Sequence, residues 1–152
     1  MTAHTKGKLT FRITAVLFVI SAAFELFSWA SWVPLFGSMR GGPAALIHHI
    51  FYAALYVALG AGLWRARHWG YTLVFIVTAL YTFDKLQFVI YRKSILADLM
   101  AKPGVLQDVL LLVGSHLLLQ VLTATAIIMV AGWWGFALYT YLRRDYFRMD
   151  GG

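Results

Sequence analysis

The sequence predicts an all-α, polytopic membrane protein, a four-helix transmembrane bundle with a short interfacial helix before the last span. Three observations carry this expectation. Of 152 residues, 61% are hydrophobic and 12% charged, against about 25% charged in a typical soluble domain, and the mean hydropathy is +0.74. The apolar residues fall in stretches of about 20 or more, the length that crosses a hydrocarbon core of about 30 Å. The basic residues sit mostly at the ends of those stretches, where they retain loops on one side of a bilayer and face anionic headgroups. Such a composition excludes an ordinary water-soluble enzyme and leaves no room for a sizeable domain outside the membrane, so 1–152 reads as a single membrane domain.

The first span covers about 9–32, behind Lys6 and Lys8 and interrupted by Arg12 and Glu25. It is too long for a signal peptide and lacks a small-x-small cleavage site, which favours an uncleaved span. Pro34, Gly37, Gly41, Gly42 and Pro43 then stop the helix and predict a compact loop around Arg40. A second span follows over about 44–64. The short basic turn Arg65-Ala66-Arg67-His68 joins it to a third over about 69–91, which makes the two an antiparallel pair. From Arg92 the chain turns polar. Ile95, Leu96, Leu99 and Met100 among Arg92, Lys93, Asp98 and Lys102 suit a short helix at the interface, part of an interfacial segment over about 94–113.

The 38 apolar residues of 105–142 would extend about 57 Å as one helix, far beyond the core thickness. A break at Gly114-Ser115-His116 resolves the mismatch and leaves a fourth span over about 115–142. Gly60-Ala61-Gly62 and Gly132-x-x-Gly135 offer small faces for close helix approach. With the N-terminus inside, one side receives Lys6, Lys8, Arg12, Arg65, Arg67, Arg143, Arg144 and Arg148, and the other only Arg40, Arg92, Lys93 and Lys102. This asymmetry predicts a multi-pass protein of the cell membrane with cytoplasmic N- and C-termini. Trp64, Trp69, Trp133 and Trp134 are expected at the inner ends of their spans, and Trp29, Trp32 and Tyr91 at the outer ends.

Ionisable groups inside spans are costly, so each is a candidate for function. Here they are Glu25, His48, His49, Asp84 and Lys85, with His116 at the start of the fourth span. Counting inward from Trp29, Ala44 and Tyr91 puts Glu25, the His pair and Asp84 at one depth in the outer half of the bundle. Helical spacing aligns Tyr81, Asp84, Gln87 and Tyr91 on one stripe, His49 with Tyr52 and Tyr56 on another, and His116 with Gln120 and Thr123 on a third. The predicted ligand- or ion-binding set is therefore Glu25, His48, His49, Tyr52, Asp84, Lys85, Gln87 and His116.

Several functions compete for this cluster. It can bind an ion, a proton or a small lipid-like ligand, or it can be a polar lock between helices. A metal would draw on His49, His116, Glu25 and Asp84, although no His-Glu-x-x-His spacing is present. A bis-His haem b carrier would use His48 or His49 with His116, and a membrane-embedded enzyme would use Glu25 or Asp84 as a base. The sequence assigns no cofactor and no catalytic residue. The alternative class is an accessory or scaffold subunit of a larger membrane complex, because aromatics make up 16% of the chain and provide large contact surfaces. Expected partners are membrane lipids, other membrane subunits or further copies of the chain. Nucleic acid is excluded, since the formal charge of +7 is scattered along span ends rather than gathered on one face. Arg143-Arg144 beside Tyr139, Tyr141, Tyr146 and Phe147 reads as an anchor for anionic lipid. The absence of cysteine removes thiolate metal sites and thiol chemistry.

Overall fold

A computed structural model describes residues 7–101 and 114–147. In chain order the elements are α1 (Lys8–Phe27), β1 (Val33–Leu35), β2 (Ser38–Arg40), α2 (Pro43–Trp64), α3 (His68–Ile90), α4 (Arg92–Met100) and α5 (Ser115–Leu142), followed by a 3-10 turn at Arg144–Phe147. The helices α1, α2 and α3, and His116–Leu142 within α5, are each long and apolar enough to cross a membrane. The α1 helix packs along α2, α2 against α3, and α3 against α5. This is the four-span bundle expected from the apolar stretches. The short polar helix before the last span is α4, and the rest of its anticipated segment, 102–113, lies outside the described residues.

The turn between α2 and α3 explains how so short a connection reverses the chain. Arg67 N–H donates to Gly62 O at 3.1 Å and Ala66 N–H to Leu63 O at 3.3 Å, the paired bonds of a Schellman motif. Ala66 takes the left-handed position, with φ 53°. Just before this turn the two backbones nearly touch: a Cβ built on Gly62 would lie 2.6 Å from Gly70 Cα. The small face of Gly60-Ala61-Gly62 is thus used twice, because a Cβ on Gly60 would meet Ala15 O of α1 at 3.0 Å. Gly132 and Gly135 of α5 have no atom within 4 Å of such a Cβ. The close approach expected there is not made among the described residues.

One boundary differs clearly from the sequence reading. The first helix stops at Phe27, not Trp32, because Ser28 N–H caps onto Phe24 O and Ser31 N–H bonds to Ser28 O, turning the chain toward a β-hairpin. In that hairpin Val33 pairs with Arg40 and Leu35 with Ser38, and Phe36 and Gly37 both have positive φ, 49° and 82°, as a two-residue type I′ turn requires. The compact loop around Arg40 is therefore a small sheet. The fourth span runs to Leu142 as expected, which places Trp133 and Trp134 eight or more residues before its end. Gly114, with φ 81°, stands outside helical geometry immediately before α5, so the long apolar segment is interrupted there.

Aromatic rings fill the interior of the bundle. Phe11 stacks on Tyr146 with ring centroids 4.6 Å apart, Phe18 on Trp133 at 5.4 Å, and Trp133 lies 5.3 Å from Tyr81. Tyr56 and Tyr52 carry the series on to His48, whose ring is 4.7 Å from Tyr52. Offset and edge-on contacts of this kind add about 0.5–1.5 kcal/mol each beyond burial. They also place the polar residues at the hairpin end of an otherwise apolar column.

Candidate functional site

Two polar constellations lie at the hairpin end. The first joins α1 to α2. Glu25 stands in the last turn of α1, and His49 lies six residues into α2, about 9 Å along its axis. His49 Nδ1 is 2.7 Å from Glu25 Oε2. A carboxylate only accepts, so Nδ1 carries the hydrogen of this bond. His49 is 6% exposed, and its other ring nitrogen, Nε2, is buried without a hydrogen-bond partner. Buried polar atoms are nearly always satisfied, so this nitrogen faces an unmet demand for a partner.

The second constellation belongs to α3 and ties the hairpin down. Asp84, 7% exposed, lies six residues before the end of α3, about 9 Å from it along the axis. Lys85 Nζ donates to Asp84 Oδ2 at 2.9 Å, and Gln87 Nε2 donates to Asp84 Oδ1 at 3.1 Å. Gln87 also reaches out of the helix. Phe36 N–H of the hairpin turn donates to Gln87 Oε1 at 2.9 Å, and Gln87 Nε2 lies 3.5 Å from Pro34 O. From α4, Asp98 Oδ2 accepts Met39 N–H at 2.9 Å, and Ser94 Oγ donates to Gly37 O at 2.7 Å. The hairpin is thus a cover held at four points over the end of α3.

Between these constellations stand aromatic side chains. His48 is half-buried and within electrostatic reach of Glu25, Asp84 and Lys85, and Tyr52, Tyr56 and Tyr81 each lie within reach of both carboxylates. Tyr81 Oη donates to Met129 Sδ of α5 at 3.4 Å, and its ring faces Lys85 Nζ at 5.0 Å. Of the residues singled out in the sequence, hydrogen bonds join Glu25 to His49, and Asp84 to Lys85 and Gln87, while the rings of His48 and Tyr52 lie 4.7 Å apart; these residues are referred to below as the polar layer. His116 stands apart. It is exposed in the first turn of α5, and no described contact joins it to the others. Thr123, on the same stripe, buries its hydroxyl without a partner.

With both histidines neutral, Glu25, Asp84 and Lys85 leave the layer one negative charge in excess, which favours uptake of a proton or a cation. Among the described residues no group of three or more His, Asp or Glu is placed to hold a metal ion. A haem ligated by His116 with His48 or His49 finds no support in the exposed position of His116. Sequence reasoning missed the hairpin and Asp98. The signal available was the charge of Asp98 within a short amphipathic segment, but its partner is a backbone N–H that no side-chain pattern reveals.

A family model described as a predicted membrane protein (DUF2127) matches residues 41–101, less than half of the chain. The match takes in α2, α3 and α4, and with them every residue of the polar layer except Glu25. No curated protein and no solved structure matches the chain. With its four apolar helices, the chain is a small integral membrane protein.

Proposed function

We propose that the polar layer beneath the hairpin binds a proton, or a small ligand that brings a hydrogen-bond donor, with His49 as the accepting group and Glu25 as its charge partner. The observation that carries this reading is the 2.7 Å contact between His49 Nδ1 and Glu25 together with the buried, unpartnered Nε2. With Nδ1–H committed to the carboxylate, Nε2 presents a lone pair, and the net negative charge of the layer favours whatever protonates or donates to it. Tyr52, Tyr56 and Tyr81 supply hydroxyls around it, and Asp84, Lys85 and Gln87 couple the layer to the hairpin. In this arrangement the protein is a binding protein, not a catalyst. Its hairpin end faces away from the cytoplasm of the cell membrane, because the charge count places both termini inside.

Nitrogen NMR of histidine-labelled protein in nanodiscs tests the reading with the proton as probe. Across the pH range in which the helices persist, the His49 Nε2 signal should move from an unprotonated to a protonated position, and Glu25→Gln should alter that transition while His68→Gln leaves it unchanged. A His49 signal fixed across the range, or one indifferent to Glu25→Gln, would reduce the pair to a structural lock between α1 and α2.

A second reading, an accessory subunit, is favoured by one observation. Only 11% of the apolar window of α5 is buried, against 39% for α2, and Gly132 and Gly135 face open space. Native mass spectrometry from mild detergent decides this point: a co-purifying membrane protein supports it, and a clean monomer counts against it.

A further inference from the structure

At the opposite end of the bundle, α1 and α2 together line an apolar groove of about 410 Å3, bordered among others by Val16, Val19, Val57, Ala61, Trp64 and Arg65. A smaller hollow of about 250 Å3 continues it across Trp64 and is bordered by Arg12 and Leu17. We infer that this groove is a binding site for one anionic phospholipid, with an acyl chain lying along the groove over the α1–α2 contact and the phosphate held by Arg12 and Arg65.

The shape and the chemistry of the groove agree on that occupant. Its floor is kept low by small residues, since a Cβ on Gly60 would already press on Ala15 O at 3.0 Å and on Val19 at 3.1 Å. The lining runs from Arg65 to Val57 along α2 and from Arg12 to Ile20 along α1, about 10–12 Å of helix rise. That is most of one leaflet of a core about 30 Å thick, the depth that an acyl chain occupies from the headgroup level inward.

The two cations stand only at the mouth. Arg12 is held with its guanidinium 5.2 Å from the Trp64 ring, and Arg65 follows the last residue of α2. An apolar partner helix laid in the groove would bury these charges without compensation, which is costly. A phosphodiester meets them with charge-assisted hydrogen bonds of suitable geometry. Lys8, Arg67, Arg143 and Arg144 outnumber Asp145 at this end, so the surrounding field has the same sign. The polar layer at the hairpin end takes no part in this site.

Native mass spectrometry of the full chain, released from nanodiscs containing equal phosphatidylglycerol and phosphatidylcholine, tests the assignment. One phosphatidylglycerol should remain on each chain, preferred on the order of thirty-fold, about five-fold from each arginine near the headgroups. Arg12→Gln with Arg65→Gln should abolish the preference. Ala61→Phe, which fills the groove and leaves both arginines in place, should remove the bound lipid, while Arg143→Gln with Arg144→Gln should leave it. Circular dichroism of each variant verifies that its helices persist, and inorganic phosphate alone should not be retained. The assignment fails if the Arg12/Arg65 variant keeps its preference, if Ala61→Phe retains the lipid, or if the species released is a lipid-free dimer.

Discussion

The crossing of α2 and α3 makes a sharp demand on its glycines, and Gly62→Ala tests it. The new methyl would lie 2.6 Å from Gly70 Cα and 2.8 Å from the Trp69 ring, whereas carbon atoms attract best at about 3.5–4.0 Å. The helices must therefore part by about 1 Å, and the bonds from Ala66 and Arg67 back to Leu63 and Gly62 leave little slack beside the contact. Overpacking of this kind costs about 1–3 kcal/mol, and backbone against backbone belongs at the upper end. Replacing glycine within a helix returns roughly 0.5–1 kcal/mol, so the net loss should be about 2 kcal/mol. Gly70→Ala should cost a similar amount. The two together should cost less than the sum, because the first separation makes room for the second methyl. Equilibrium unfolding in mixed micelles titrated with dodecyl sulfate, followed by helical circular dichroism, reads these differences. Gly132→Ala and Gly135→Ala are the internal controls, since their methyls meet nothing within 4 Å and should be neutral or mildly stabilising. If Gly62→Ala behaves like Gly132→Ala, the close crossing is wrong.

Two further outcomes follow from named contacts. Gln87→Leu removes the acceptor for Phe36 N–H and the donor to Asp84; hydrogen exchange of the Phe36 amide should accelerate at least ten-fold, the effect of losing about 1.4 kcal/mol of protection, while amides at the middle of α3 keep their rates. At the other end, the Tyr146 hydroxyl donates to Leu63 O at 3.0 Å, and burial holds its phenol above the usual range while Arg12 acts in the opposite direction. A group whose folded value is raised stabilises fully below its unfolded value, about 10 for tyrosine, and loses that contribution as pH rises through the folded value. Unfolding midpoints of the native protein should therefore fall more steeply above pH 10 than those of Tyr146→Phe; parallel curves would show that this phenol is not linked to folding.

The nearness of Glu25 and His49 was legible in the sequence because helical rise is fixed: counting from span ends brings the two to a similar depth without knowledge of any contact, and the two side chains meet at 2.7 Å. That they would meet was not legible, because contact depends on how each helix is rotated about its axis, and rotation is set by packing. Gly62 against Gly70 and Gly60 against Ala15 determine how α2 faces its neighbours, and only then does His49 point at Glu25. The small face of Gly132 and Gly135 gave the same sequence signal as Gly60-Ala61-Gly62, yet a Cβ there would meet nothing within 4 Å among the described residues.

The hairpin escaped for a different reason. Its turn places Phe36, a bulky residue, at φ 49°, a conformation that sequence rules reserve for Gly, Asn or Asp. The cost of that conformation is offset by bonds from Gln87, Asp98 and Ser94, all from elements remote in the chain. His116 shows the limit of depth counting from the other direction: α5 begins at Ser115, where the sequence reading put it, yet the imidazole is exposed in the first turn and no described contact joins it to the other polar residues. A correct helix start is thus not enough to bring a residue into a site, because the rotation of the helix about its axis decides where the side chain goes. Contacts between elements far apart in sequence, such as Gln87 with Phe36, locate the hairpin end more securely than any boundary does.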